Sequence, residues 1–481
     1  MRQRDYIEKL REWGLLHVVD TEVDWNLEMA GIDAMFGRLG GSTLLFTNVR
    51  GYPGQSILAR HLTGTSEKPW RNIALLLGLS PQVGWSEVLE ELWKRFNSPV
   101  KPTLVSTGPC KENKAFGKDV DLFKFPWPFM HQGDGGRYVT FSLGITKSRG
   151  IDWTNWGNYR HQVQTKTKIS TLLQPVQHIG YMYFQEYERN DLPMPACIVI
   201  GGPVESLLVS CTKIPFGISE VDWVGGLAQE PVELVKAETS DLLVPADAEI
   251  VIEGEYRPYE RMDEGPFGEF VGYMHGPRVP RPVFRAHCIT WRNNPIIPTQ
   301  LAEGLPGSGS LFGVGRVVMS YPFAVTLKSL GIYARHLNAK NAFLPGAKLP
   351  PGISPEFVAQ RTLSFPLFQT FNAYMIASWD TDIDETDEVI EAIFCKAHPN
   401  KFHSTEPDLQ RSTFAVHLTP EERKRGYGPK YWMDTTWPMH WPAEKIPQKV
   451  TFENSFPQDI QEWVAQSWRR LGLEGEPKLR R

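Results

Sequence analysis

Cysteine is scarce in this 481-residue chain, and the five present (Cys110, Cys197, Cys211, Cys288 and Cys395) are odd in number with no pair at C-x-x-C spacing. Neither a disulfide framework nor a zinc knuckle is indicated, and a reducing cytoplasm is expected. Blocks of like charge are absent as well. Lys and Arg number 51 against 55 Asp and Glu, a formal net charge of −4, so the basic face of a nucleic-acid binder is missing. No apolar run approaches the roughly 20 residues needed to span a bilayer. The opening Met1-Arg2-Gln3-Arg4-Asp5-Tyr6-Ile7 lacks the apolar core of a signal peptide, and no membrane partner is expected. There is no G-x-S-x-G elbow, Walker P-loop or H-E-x-x-H, which removes three large enzyme classes. Internal repeats and low-complexity segments are also absent.

What is present is an aromatic-rich globular chain, with 41% hydrophobic residues, 16 Trp, 15 Tyr and 25 Phe. Its length exceeds one ordinary core, so two or three domains are expected. Residues 1–110 read as an α/β domain. Arg4 to Trp13 forms a helix stopped by Gly14, and Ser86 caps a helix with Val88, Leu89, Leu92, Trp93 and Phe96 on one face. The prolines of Ser98-Pro99-Val100-Lys101-Pro102-Thr103 mark a linker. Residues 111–310 change to short β-like runs divided by Gly and Pro, among them Tyr138 to Ile145, Cys197 to Ile200, Glu249 to Ile252 and Val283 to Thr290. That texture predicts a barrel or sandwich rather than repeated βαβ units. Residues 311–481 return to α/β, with a strand at Tyr374 to Trp379 and a helix at Asp387 to Lys396. Ser455 and Pro457 then open a terminal amphipathic helix whose Ile460, Trp463, Val464, Trp468 and Leu471 share a face. Such a face docks on its own domain or on a second subunit.

The richest chemistry lies in Asp263-Glu264-Gly265-Pro266-Phe267-Gly268-Glu269. On a plain strand, residues five apart point to opposite faces, but the glycines and proline permit a turn that gathers Glu264 and Glu269 at one site. Two carboxylates in different surroundings can hold one proton between them at neutral pH; the plainer alternative is a solvated turn. A second stretch, Asp152-Trp153-Thr154-Asn155-Trp156-Gly157-Asn158-Tyr159-Arg160-His161, joins hydrogen-bonding side chains to a guanidinium suited to carboxylates, with a surface loop as its alternative. Gln177-His178 and Glu220 complete the set. Asn155, His178 and Glu220 offer amide oxygen, imidazole nitrogen and carboxylate oxygen, a mixture suited to Mn²⁺ or Mg²⁺. The run Gly304 to Arg316, with Gly307, Gly309, Gly313 and Gly315, departs from G-x-G-x-x-G spacing and reads as a mobile loop or linker.

These residues resemble the UbiD family of prenylated-flavin-dependent decarboxylases. Asn155 to Arg160 is similar to the segment carrying a metal-binding Asn and, five residues on, the catalytic Arg. Gln177-His178 resembles the cofactor- and metal-binding Gln-His, and Glu220, in a Glu-x-x-x-Val-Gly setting, the third metal ligand. Glu264-Gly-Pro-Phe-Gly-Glu269 matches the acidic pair almost letter for letter, with weaker echoes at Met194-Pro195, Asp380 to Asp384 and Asp434-Thr435-Thr436. The landmarks run in order across roughly residues 10 to 440. Two departures stand out: Leu367 to Trp379 contains no Lys where members often hold the cofactor phosphate, and the loop Gly307 to Gly315 lacks the acid that some members carry.

The resemblance implies a mixed α/β multidomain chain: an N-terminal α/β domain, a central split β-barrel binding flavin and a C-terminal α/β domain. It implies a prenylated FMN bound by Asn155, Trp156, Gly157, Asn158, Tyr159, Arg160, Gln177, His178 and Glu220. Its phosphate would be tied through Mn²⁺ or Mg²⁺ on Asn155, His178 and Glu220, with K⁺ nearby. The implied reaction is reversible decarboxylation of an aromatic, heteroaromatic or α,β-unsaturated acid through a covalent adduct with the flavin. Arg160, Glu264 and Glu269 are the implied catalytic residues. CO2 is the small partner, a flavin prenyltransferase supplies the cofactor, and a homodimer or homohexamer is expected. The alternatives are a non-catalytic flavin-binding partner subunit and an ordinary flavin reductase.

Overall fold

The computed structural model describes residues 1–65, 68, 70–212, 214–269, 272–301, 327–328, 332–336, 345–350, 352–363, 373–383, 385–405, 408–411, 415 and 417–472. The glycine-rich run 304–316, residues 367–372 and Asp384 therefore lie outside the described residues.

The first helix, Gln3–Glu12, buries Tyr6, Ile7 and Leu10, and it ends where Gly14 takes φ +66°, a conformation glycine adopts without penalty. A four-stranded sheet follows, in the order Leu16–Val19, Thr43–Phe46, Ser56–Ala59 and Ile296–Thr299. Its last strand comes from far along the chain, so the N-terminal layer and the middle of the protein share one sheet. The helix Trp85–Phe96 starts earlier than the sequence suggests. Gly84, not Ser86, is the N-cap, because Trp85 is already buried in the core and the Glu87 carboxylate reaches back to accept from the Gly84 N–H at 2.6 Å.

The centre is a nine-stranded sheet. Eight strands follow the order Arg137–Val139, His161–Val163, Lys168–Thr171, Val279–Trp291, Ile250–Glu264, Met194–Ile200, Ser142–Lys147 and Thr154–Asn158, while Asn113–Phe116 also pairs with Val279–Trp291. Every pairing is antiparallel. This connectivity forces curvature. Asn158 lies on the last strand of that order and His161 on the second, with only Tyr159 and Arg160 between them. In a flat sheet those strands would stand roughly 29 Å apart at normal strand spacing, whereas three residue steps reach about 11 Å. The sheet must curl until its ends meet, and the closing link carries Arg160.

In the C-terminal part a five-stranded sheet runs Tyr333–His336, Pro345–Leu349, Ala373–Ser378, Tyr431–Thr435 and Phe402–Ser404, its middle three strands parallel. The helix Thr386–Glu391 continues into a wider turn over Ala392–Lys396. The terminal helix Gln458–Ser467 begins after Pro457. In the single chain its apolar face is half open to solvent, with Ile460 and Trp463 exposed by 42% and 51%, and the helix stops at Ser467, short of the Trp468 and Leu471 expected on that face. Among the described residues no helix is long and apolar enough to cross a membrane.

Candidate active site

The site begins where the closing ribbon bends. Val139 pairs with His161 on one side of the bend and Leu143 with Asn158 on the other. Between these two pairs, Thr140, Phe141 and Ser142 link one side of the ribbon while only Tyr159 and Arg160 link the other. This one-residue surplus shifts the register by one across the bend, as a β-bulge does when it re-aims a side chain at a barrel rim.

Arg160 is turned into the interior, 9% exposed, between Glu264 at 1% and Glu269 at 5%. Its Nε and Nη2 donate to the two oxygens of Glu264, each at 2.9 Å, a bidentate fork. Its Nη1 donates to Glu269 Oε1, and its guanidinium lies 5.2 Å from the Phe267 ring centroid. The turn expected between the acids is present: Gly265 takes φ +88°, before a cis bond to Pro266. One buried guanidinium is therefore shared by both carboxylates. Burial lowers the Arg160 pKa, but Glu269 and Glu264 outweigh it and raise it, so the cation is permanent.

A surrounding shell fixes this pair. The buried Tyr138 hydroxyl donates to Glu264 Oε1 at 3.0 Å. Burial, and then the Glu264 charge, push its phenol far above the usual range, so it remains a donor. Gln162 Oε1 accepts from the Gly265 N–H at 3.0 Å. Asp134 accepts from the Gly268 N–H at 2.9 Å and from the His131 N–H at 3.0 Å, and lies 3.1 Å from the His131 ring nitrogen. The Gly135 N–H donates to Pro266 O at 2.7 Å. A side chain at Gly135 would put its Cβ 2.1 Å from Gly265 O. Sequence reasoning missed Tyr138, Gln162, Asp134 and His131. The only signal was the Gly135-Gly136 doublet beside Asp134, which marks a close backbone approach.

At the other end of the same strand, the residues proposed for a metal gather. Glu220 opens the helix Glu220–Ala228 and His178 the short helix His178–Tyr181. Glu220 Oε2 accepts from the Trp156 N–H at 2.9 Å, and Glu220 Oε1 stands 3.5 Å from His178 Nδ1. Asn155, next to Trp156 and buried, donates its amide nitrogen to the Tyr159 hydroxyl at 3.2 Å, which leaves its carbonyl oxygen for another ligand. Trp153 stacks edge-on against His178 with centroids 4.8 Å apart. Gly157 must lack a side chain, since a Cβ would meet the Tyr159 hydroxyl at 2.1 Å. The Trp156 ring packs into the apolar core, so its backbone is the part directed at this site. Gln177 uses its Oε1 to accept from the Gln174 N–H at 3.0 Å. Asn158 keeps a buried amide nitrogen with no partner among the described residues, a donor fitted to a bound polar group.

The chain matches two family models: the 3-octaprenyl-4-hydroxybenzoate carboxy-lyase N-terminal domain over residues 7–92 and the Rift-related domain of the same enzyme over residues 103–306. Pyrrole-2-carboxylic acid decarboxylase of Pseudomonas aeruginosa is 28% identical over 495 residues, covering 98% of each chain. Vanillic acid decarboxylase of Sedimentibacter hydroxybenzoicus, in its closed form, superposes with TM-score 0.83 at 25% identity over 97% of this chain and 98% of that one. An evolved dimeric form of the UbiD-class enzyme HmfF from Pelotomaculum thermopropionicum, in complex with prFMN, gives 0.75 at 26% over 94% and 99%. Two matched domains and a likeness along nearly the whole chain make this protein a member of the UbiD family of carboxy-lyases.

Proposed function

We propose that the protein catalyses the reversible, non-oxidative decarboxylation of an aromatic, heteroaromatic or α,β-unsaturated carboxylic acid. The observation that carries this reading is the single buried guanidinium shared by two buried carboxylates. One carboxylate balances the charge of Arg160, so the other can carry a proton without leaving a net buried charge. Glu264, gripped in two-point geometry and fixed by Tyr138, is the balancing partner. Glu269, which accepts from the remaining guanidinium nitrogen, is the acid that gives the proton.

Arg160 orients the substrate carboxylate. As the bond to that carboxylate breaks, CO2 leaves, and Glu269 gives its proton to the carbon that has lost CO2. Glu269 then regains a proton from solvent. The reverse path runs through the same groups. Burial of all three side chains keeps water from competing for the electron pair.

The donor set fits prenylated FMN held through a divalent cation. His178 and Glu220 present acceptor atoms side by side, Asn155 offers an oxygen, and the Asn158 amide is an unanswered donor. Asn155, His178 and Glu220 would hold Mn²⁺ or Mg²⁺ against the cofactor phosphate, and residues 156–160 with Gln177 would line the bound flavin. The chemistry such a flavin supplies when bound is an electron sink for the pair left behind by CO2.

The test is a panel of pyrrole-2-carboxylic, ferulic and vanillic acids, assayed with protein made alongside a flavin prenyltransferase. CO2 release, or deuterium uptake into the decarboxylated product, is expected from at least one acid. Neither signal from any acid, with the flavin bound, would overturn the reading.

A further inference from the structure

Arg160 faces an imbalance once substrate arrives. Its guanidinium already serves Glu264 through two nitrogens and Glu269 through a third, and a substrate carboxylate adds a further negative charge. Arg281 stands where a second cation is needed. In the ladder between Ile250–Glu264 and Val279–Trp291, Met262 faces Arg281 and Glu264 faces Val279. Cross-strand partners share a face and residues two apart share it too. Arg281 therefore projects from the same face as Glu264, diagonally across from it, a separation of about 7–8 Å between backbones in such a pair. The intervening pair, Asp263 and Pro280, is exposed on the opposite face, while Arg281 and Met262 are partly buried.

Unlike Arg160, Arg281 is unclaimed. Among the described residues it makes no hydrogen bond or ion pair, and its Nε is buried without a partner. The charges it senses belong to the site: burial lowers its pKa, Glu264 opposes that, and Arg160 adds to it. A half-buried guanidinium without an anion is an unfavourable arrangement in the empty protein and a favourable one when an anion enters beside it.

We propose that Arg281 is a specificity-determining cation of this active site, supplying the charge that draws in and holds the ionised carboxylate of the substrate. The proposal rests on the decarboxylase reading above and adds a residue to it. Its test uses the holoenzyme, the panel acid turned over fastest, and the carboxamide of that acid as a neutral competitor. Arg281→Gln is expected to raise KM for the acid by about 10- to 100-fold and to leave kcat within about threefold. Bound flavin and the inhibition constant of the carboxamide should not change. Arg281→Lys, which keeps the charge, is expected to recover most of the loss, and it serves if the Gln variant does not fold. An unchanged KM in the Gln variant, or a carboxamide weakened in parallel with the acid, would overturn the proposal. Glu269→Gln separates the two ideas. If it abolishes turnover while Arg281→Gln leaves KM unaltered, the reaction stands and the Arg281 role falls. If it retains turnover while Arg281→Gln raises KM, the proton donor falls and the cation stands.

Discussion

Glu264→Gln probes the shared guanidinium most directly. The wild-type carboxylate accepts two charge-assisted bonds from Arg160 at 2.9 Å and one from Tyr138 at 3.0 Å. A Gln side chain keeps one acceptor oxygen but turns its –NH2 toward a guanidinium N–H, so one charge-assisted bond is lost and two donors meet. Such a bond contributes about 1.5–3 kcal/mol. Glu269 must also carry more of the Arg160 charge, which ties up the group proposed to deliver the proton. With a loss of about 2–3 kcal/mol carried into the transition state, kcat should fall roughly 30- to 150-fold. CO2 release under saturating acid measures it, with flavin absorbance confirming equal cofactor loading and deuterium exchange into product reporting the protonation step separately. A Glu264→Gln variant that binds its cofactor fully and stays within about threefold of wild-type kcat would refute the view that Glu264 sets the charge balance.

Other outcomes follow from the same geometry. Glu220→Ala or His178→Ala should lower bound Mn²⁺ or Mg²⁺ to well below one per chain and release flavin with it, read by elemental analysis and flavin fluorescence; retention of both would remove these side chains from the metal site. Gly135→Ala should destabilise the fold by about 1–3 kcal/mol, because its Cβ falls 2.1 Å from Gly265 O, and urea unfolding checks this. His61 and His161, fully buried, have pKa values pushed down by burial to about 3. Below about pH 6.5 the unfolded chain takes up protons that the fold refuses. Stability should therefore fall by about 1.4 kcal/mol per pH unit for each histidine between about pH 6.5 and 3 and be indifferent to them above. His161→Asn should remove its share of that slope in urea titrations at about pH 7 and 5, and an unchanged slope would contradict it.

Much of the fold was legible because alternating apolar residues and Gly/Pro breaks mark strands wherever one face is buried. Met194–Ile200 and Ala373–Ser378 fall where those runs predicted. Helix starts were less legible. Ser86 looks the better cap by residue type, but the burial of Trp85 draws the helix forward to Gly84. Closure of the barrel was illegible, since nothing local announces that Val139 meets His161 while Leu143 meets Asn158. The acid pair was readable as a motif because Gly265 and Pro266 betray a turn between the two glutamates. Asp134 and Tyr138 were not, because each acts through contacts more than 120 residues away in sequence, and no spacing rule reaches that far.

The two-residue link at Tyr159 and Arg160 has a consequence for how activity emerges as the protein is made. The guanidinium reaches its carboxylates only when opposite ends of the sheet have come together, and Glu264 and Glu269 arrive from a segment synthesised about a hundred residues later. If the proposed reaction centre is right, an incompletely closed barrel has no assembled centre, rather than a slow one. Turnover per chain then works as an all-or-none census of closed molecules. A nick or circular permutation between Asn158 and His161 should silence the enzyme even where most of its strands still form.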